Sequence, residues 1–183
     1  MGLPLSVEFG ATGEIEDRAL APLPPWALAA EKIVFGTRQS IASALFVLVL
    51  AAIVPAMRHA VSFDALPLLA AVLLLVGITS AALGLVVGCV VKPGRIELMF
   101  SVVVAPLTFL GCIYYPWTSL ELIPWLQYLV LVNPLVYLTE GLRAALTPAI
   151  PTMPIWAFGT AAVAYAAGAV AAGVALFNRR LTA

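Results

Sequence analysis

Several groups of residues have types and spacings that could do chemistry. Glu140 and Arg143 stand three positions apart, the separation at which two side chains share one helix face and pair as opposite charges. Glu14, Glu16 and Asp17 crowd against Arg18, a mixed-charge cluster suited either to gripping a protein partner or to lying in solvent. His59, the chain's one histidine, has Ser62 and Asp64 close behind it, the residue types of a base, a nucleophile and an orienting acid. Their spacing matches no hydrolytic triad, and His59 lacks the cysteine or carboxylate cluster that a metal site needs. Gly84 and Gly88 have neither the lysine nor the hydroxyl of a phosphate-binding loop, and no G-x-x-x-x-G-K-[ST] run occurs elsewhere, so ATP hydrolysis is not expected in this chain. No catalytic, cofactor-binding or metal-ligating set emerges from these residues.

The elements that must position them are apolar. Of 183 residues, 63% are hydrophobic and 10% are charged, against about 25% charged in a soluble domain, which excludes a water-soluble globule. The charges are bunched and leave uncharged runs of 19 residues (Gln39 to Met57), 27 (Ala65 to Val91), 23 (Leu98 to Leu120), 18 (Leu122 to Thr139) and 35 (Ala144 to Asn178). About 20 apolar residues carry a helix across a bilayer. The formal net charge is zero, so no global field draws in nucleic acid. Cys89 and Cys112 both fall inside uncharged runs and read as apolar fillers. Residues 1–10 hold no basic residue ahead of an apolar stretch, which is not the pattern of a secretory signal.

Along the chain, residues 1–25 form a short polar helix stopped by Pro22, Pro24 and Pro25, since proline has no amide donor and clashes with the preceding turn. Membrane spans are expected over 27–56, 66–91, 96–114 and 155–177. Gly84 and Gly88 lie in the second, a small-xxx-small pair that admits a neighbouring helix closely. Pro106 should kink the third, and Tyr114, Tyr115 and Trp117 mark its interfacial end. Residues 120–146 are apolar but broken at Asn133-Pro134, because a residue before proline avoids helical geometry. Each half is too short to cross, so the reading is a re-entrant pair rather than a fifth span, with Glu140 and Arg143 as a structural pair on its second helix. Substrate contact is the other reading of that pair.

Charge asymmetry orients these spans. With four of them, Arg18, Lys32, Arg38, Lys92, Arg95, Arg179 and Arg180 share one side and Arg58 and Arg143 the other, seven basic residues against two. Basic loops stay in the cytoplasm, which places both termini there. The fold expected is therefore an all-α integral membrane protein: four transmembrane helices, an N-terminal cytoplasmic helix and an outer re-entrant helical hairpin.

Two regions resemble the ABC-2 transporter permease family, closest to its drug- and lipid-export-like members. One runs from Gly13-Glu14-Ile15-Glu16-Asp17-Arg18 through Pro22-Leu23-Pro24 to Trp26 and Glu31-Lys32, similar to the family's cytoplasmic coupling helix and its return into the membrane. The other takes Tyr115-Pro116, Ile123-Pro124-Trp125, Asn133-Pro134-Leu135 and Glu140-Gly141-Leu142-Arg143, similar to the outer re-entrant helices before the last span. The likeness covers the chain from about residue 10 onward. Family members have two more spans ahead of the coupling helix, so the resemblance implies that those are truncated here, lost to a misassigned start, or supplied by another chain.

That resemblance implies a permease subunit of an ATP-driven exporter in the plasma membrane, moving a hydrophobic or amphiphilic substrate of the drug or lipid class. ATP and magnesium would be bound by a partner ATPase subunit, gripped through Glu14, Glu16, Asp17 and Arg18, and the permease would pair as a homodimer or heterodimer. Two alternatives stand beside it: a non-transporting membrane scaffold or assembly protein, and a fragment of a secondary transporter. The second is disfavoured because the spans from Leu66 onward hold no carboxylate for a coupling ion.

Overall fold

The computed structural model describes residues 25–54, 61–91, 102 and 104–181, and among these the regular structure is helical. Its elements are α1 (Pro25–Ile53), α2 (Leu66–Val90), α3 (Ala105–Phe109), a 3-10 helix (Trp117–Leu122), α4 (Pro124–Leu129) extended by a 3-10 turn (Val130–Val132), α5 (Pro134–Leu146) and α6 (Ile155–Leu181). The expected N-terminal helix with Glu14, Glu16, Asp17 and Arg18 lies outside the described residues. So do Arg58, His59, the Lys92 to Arg95 turn and most of the first half of the expected third span.

Helices long and apolar enough to cross a membrane cover Trp26–Ile53, Leu66–Val90 and Ile155–Arg180. The pair Pro124–Val132 and Pro134–Leu146 bends by 99° at its break, the geometry of a broken span or a re-entrant loop. Around these helices Phe46, Val47 and Ile53 of α1 lie open, as the lipid-facing side of a span does; hydrocarbon, unlike water, exacts no penalty for an apolar surface. Trp26 at one end and Tyr114, Trp125, Tyr128 and Trp156 toward the other are mostly exposed, the placement of amphipathic rings at two bilayer interfaces.

Because lipid provides no hydrophobic drive between helices, close packing must hold them, and small residues make it possible. α2 is the hub, packing on α1, α5 and α6. A Cβ at Gly77 would come within 3.1 Å of Thr37 Cγ2 on α1, one at Gly141 of α5 within 3.1 Å of Val72 Cγ2, and one at Gly173 of α6 within 3.2 Å of Leu85 Cδ2. Gly88 is buried and Gly84 half-buried on the same helix. Leu28, Ala29 and Ile33 at the start of α1 pack with Ala81, Leu85 and Phe177, and Val72, Cys112, Val130, Val136 and Phe158 form a second cluster beneath the broken segment.

Two contacts fix which element ends lie together. The Ser62 amide donates to the Leu146 carbonyl at 2.8 Å, so the end of α5 meets the approach to α2. At the opposite end Arg180 Nη1 donates to the carbonyls of Gly88 at 3.1 Å and Cys89 at 2.5 Å. A cation there satisfies carbonyls that the end of α2 leaves without helical partners. Helix α6 accordingly continues to Leu181, past the 177 expected.

The described end of the third expected span differs from the sequence reading. Its helix stops at Phe109, short of 114. A Cβ on Gly111 would meet Leu135 Cβ at 2.9 Å, and Cys112 adopts φ 53, a left-handed conformation that ends helical progress.

Candidate functional site

Residues 105–109, 112–117, 124–146 and 153 converge on one cluster at the Ser62 end. Its scaffold is α5, whose start follows from sequence. Pro134 occupies the first turn, where a missing amide costs nothing, and Asn133 Oδ1 caps the helix by accepting from the Leu135 amide at 3.0 Å. The same side chain donates through Nδ2 to the Leu107 carbonyl at 2.7 Å, tying the break to α3. Tyr137 donates to the Leu131 carbonyl at 2.8 Å and Tyr165 of α6 to the Val132 carbonyl at 3.0 Å; their rings stack at 5.7 Å. Carbonyls freed by the break thus find donors where lipid offers none.

Glu140 lies on the buried face of α5 and is fully enclosed, at 0% exposure. A carboxylate enclosed in this way needs hydrogen-bond donors for both oxygens. Here it has a full set of donors. Its Oε1 accepts from Arg143 Nη1 at 2.5 Å and from the Trp117 amide at 3.1 Å, and Oε2 accepts from the Met153 amide at 3.0 Å. Arg143 in turn donates through Nη2 to the carbonyls of Cys112 at 2.9 Å and Tyr115 at 3.4 Å. The left-handed turn at Cys112 aims its carbonyl at the guanidinium. One ion pair therefore joins the segment after α3, helix α5 and the approach to α6.

Peripheral contacts reinforce the cluster. Trp117 Nε1 donates to the Gln127 carbonyl at 3.2 Å, holding the 3-10 helix on α4. Thr139 donates to the Gly111 carbonyl at 2.8 Å. Tyr115 donates to the Phe109 carbonyl at 2.8 Å, and burial, with a smaller effect from Cys112, pushes its phenol above the ordinary value, so it remains a donor.

Of the residues singled out by sequence, the structure brings Glu140 and Arg143 together. Gly88 is buried on α2 and contributes a carbonyl to Arg180, Gly84 is half-buried on the same helix, and Gly77, Gly141 and Gly173 are further positions where a Cβ would crowd a neighbouring helix. Glu14, Glu16, Asp17 and Arg18 lie outside the described residues. Sequence reasoning missed the Trp117 and Met153 amides, because backbone donors leave no residue-type signal. The break at Asn133-Pro134 was legible in the sequence, and the capping role of Asn133 emerges from the structure. Chemically, the cluster can hold segments in register; among the described residues no group of three His, Cys, Asp or Glu could hold a metal ion.

The family model described as ABC-2 type transporter matches residues 12–147, which span the acidic cluster, α1, α2 and the broken segment through α5. No curated protein and no solved structure matches the chain.

Proposed function

This chain belongs to the ABC-2 type transporter family, and from that membership we propose that it is the membrane-spanning subunit of an exporter driven by ATP hydrolysis in a separate nucleotide-binding subunit. The observation that carries the reading is the family match across 12–147, which takes in α1, α2 and the broken segment. Residues 1–25 act as the coupling helix, with Glu14, Glu16, Asp17 and Arg18 seated on the ATPase subunit. The match begins at residue 12, beside this cluster, which supports that assignment. ATP and magnesium are bound by the partner, and this chain holds no cofactor of its own.

In this reading both termini are cytoplasmic, the membrane is the plasma membrane, and residues 120–146 are an outer re-entrant hairpin. Support comes from the contacts at its two ends. Trp117 meets Glu140 and Glu140 meets Met153, just ahead of α6, while Leu146 meets Ser62, so the segment starts and finishes at the same end of the bundle. The Glu140–Arg143 pair locks it there as a structural device. Two copies, or one copy and a homologous partner, enclose the path. Its cargo is hydrophobic or amphiphilic, an inference supported by the apolar groove of about 520 Å³ between α2 and α6, walled by Leu83, Val86, Ala164 and Ala172.

Co-purification with the ATPase subunit tests the proposal. The wild-type chain should retain that subunit, and the combined Glu16→Ala, Asp17→Ala and Arg18→Ala variant should release it while remaining in the membrane. Undiminished association would overturn the coupling role, and ATP-independent movement of substrate in vesicles would overturn the exporter reading.

A further inference from the structure

Beside the ion pair a cleft of about 460 Å³ opens between the turn after α3, helix α5 and the loop following it. That is within the roughly 300–1,000 Å³ range of small-ligand sites. Ile113, Leu142, Leu146 and Ile150 provide apolar wall, and Arg143 is the charged residue among the lining. Glu140 is not on that wall, and its two oxygens already accept three donors. Thr139 and Thr147 also line the cleft, but their hydroxyl protons go to the carbonyls of Gly111 and Arg143. Beside the Tyr114 hydroxyl at the rim, the Arg143 guanidinium is thus the charged donor of the cleft. It carries five N–H groups, and the hydrogen bonds it makes among the described residues use Nη1 once and Nη2 twice.

We propose that this cleft binds the phosphate head of an anionic lipid from the surrounding bilayer, with Arg143 on the phosphate and the first carbons of a chain along Leu146 and Ile150. Charge complementarity selects the head, since a guanidinium fork matches phosphate geometry and is worth most where water is scarce. Position selects a lipid over a free anion. The cleft lies at the Ser62 end, with Tyr114 on its rim, where amphipathic rings mark headgroup depth, and most of its wall would gain nothing from a hydrophilic ligand. The inference concerns this chain's own residues and does not depend on the transport reading.

Native mass spectrometry of the chain in an uncharged detergent, with dioleoyl phosphatidylglycerol, the phosphate-free dioleoylglycerol or inorganic phosphate added, tests it. Phosphatidylglycerol should be retained about tenfold more strongly than dioleoylglycerol, the size of one charge-assisted contact. Ile150→Trp, which fills the cleft without touching the ion pair, should abolish that preference at unchanged thermal midpoint, and Arg143→Lys should weaken it. Equal retention of the two lipids, or a preference that survives Ile150→Trp, would overturn the site. Displacement of the lipid by millimolar inorganic phosphate would overturn the lipid assignment.

Discussion

Glu140 Oε2 accepts a hydrogen bond from the Met153 amide at 3.0 Å, while its Oε1 holds Arg143 Nη1 at 2.5 Å. A single carboxylate thereby fixes the end of the broken segment to the start of the last membrane helix.

Glu140→Ala should therefore be severely destabilising. It strands Arg143, only 12% exposed, without its counter-charge and frees two backbone amides. Breaking one partner of a buried pair costs about 3–5 kcal/mol. Thermal unfolding in detergent should show a large loss for Glu140→Ala and a smaller one for Glu140→Gln, which keeps an acceptor. The double variant Glu140→Gln with Arg143→Met should lose less than the sum of its single changes.

Asn133 caps α5 and binds Leu107 with the same side chain. Asn133→Ala removes both contacts and should cost about 1–3 kcal/mol. Asn133→Ser, which retains a cap acceptor but is too short to reach Leu107, should recover part of the loss in the same assay.

Glycine positions differ in what surrounds them. Gly77→Leu should cost about 1–3 kcal/mol through overpacking against Thr37. Gly159 meets nothing within 4 Å, so Gly159→Ala should be neutral or raise stability by up to about 1 kcal/mol through helix propensity. Equal effects at both sites would contradict the α1–α2 packing.

Thr79 Oγ1 is buried with no hydrogen-bond partner among the described residues. Thr79→Val preserves shape while removing an unsatisfied hydroxyl, and should raise the thermal midpoint, by an amount corresponding to about 1 kcal/mol. A fall would show that the hydroxyl has a bonding role.

What was legible in the sequence follows from the physics of lipid. Uncharged runs marked α1, α2 and α6 because a bilayer tolerates few charges, and Pro134 marked the break because no helix continues smoothly through the residue before proline. The Glu140–Arg143 pair was legible from helical spacing. Its connection to Trp117 and Met153 was not, because any residue offers the same amide. The tight approaches at Gly77 and Gly173 carried no such signal, because which face of a helix meets a neighbour depends on how the helices cross. The early stop at Phe109 was hidden for a similar reason, since the close packing of Gly111 against Leu135 joins positions distant in sequence.

The central claim, that residues 120–146 leave and return to the same side of the membrane, is tested most directly by cysteine accessibility. Glu121→Cys, Pro148→Cys and Arg179→Cys, each at an exposed position, would be probed in intact cells with a membrane-impermeant maleimide. The account predicts that positions 121 and 148 label from outside and that position 179 labels only after permeabilisation. Labelling of 121 and 148 from opposite sides would contradict it and make the broken segment a span.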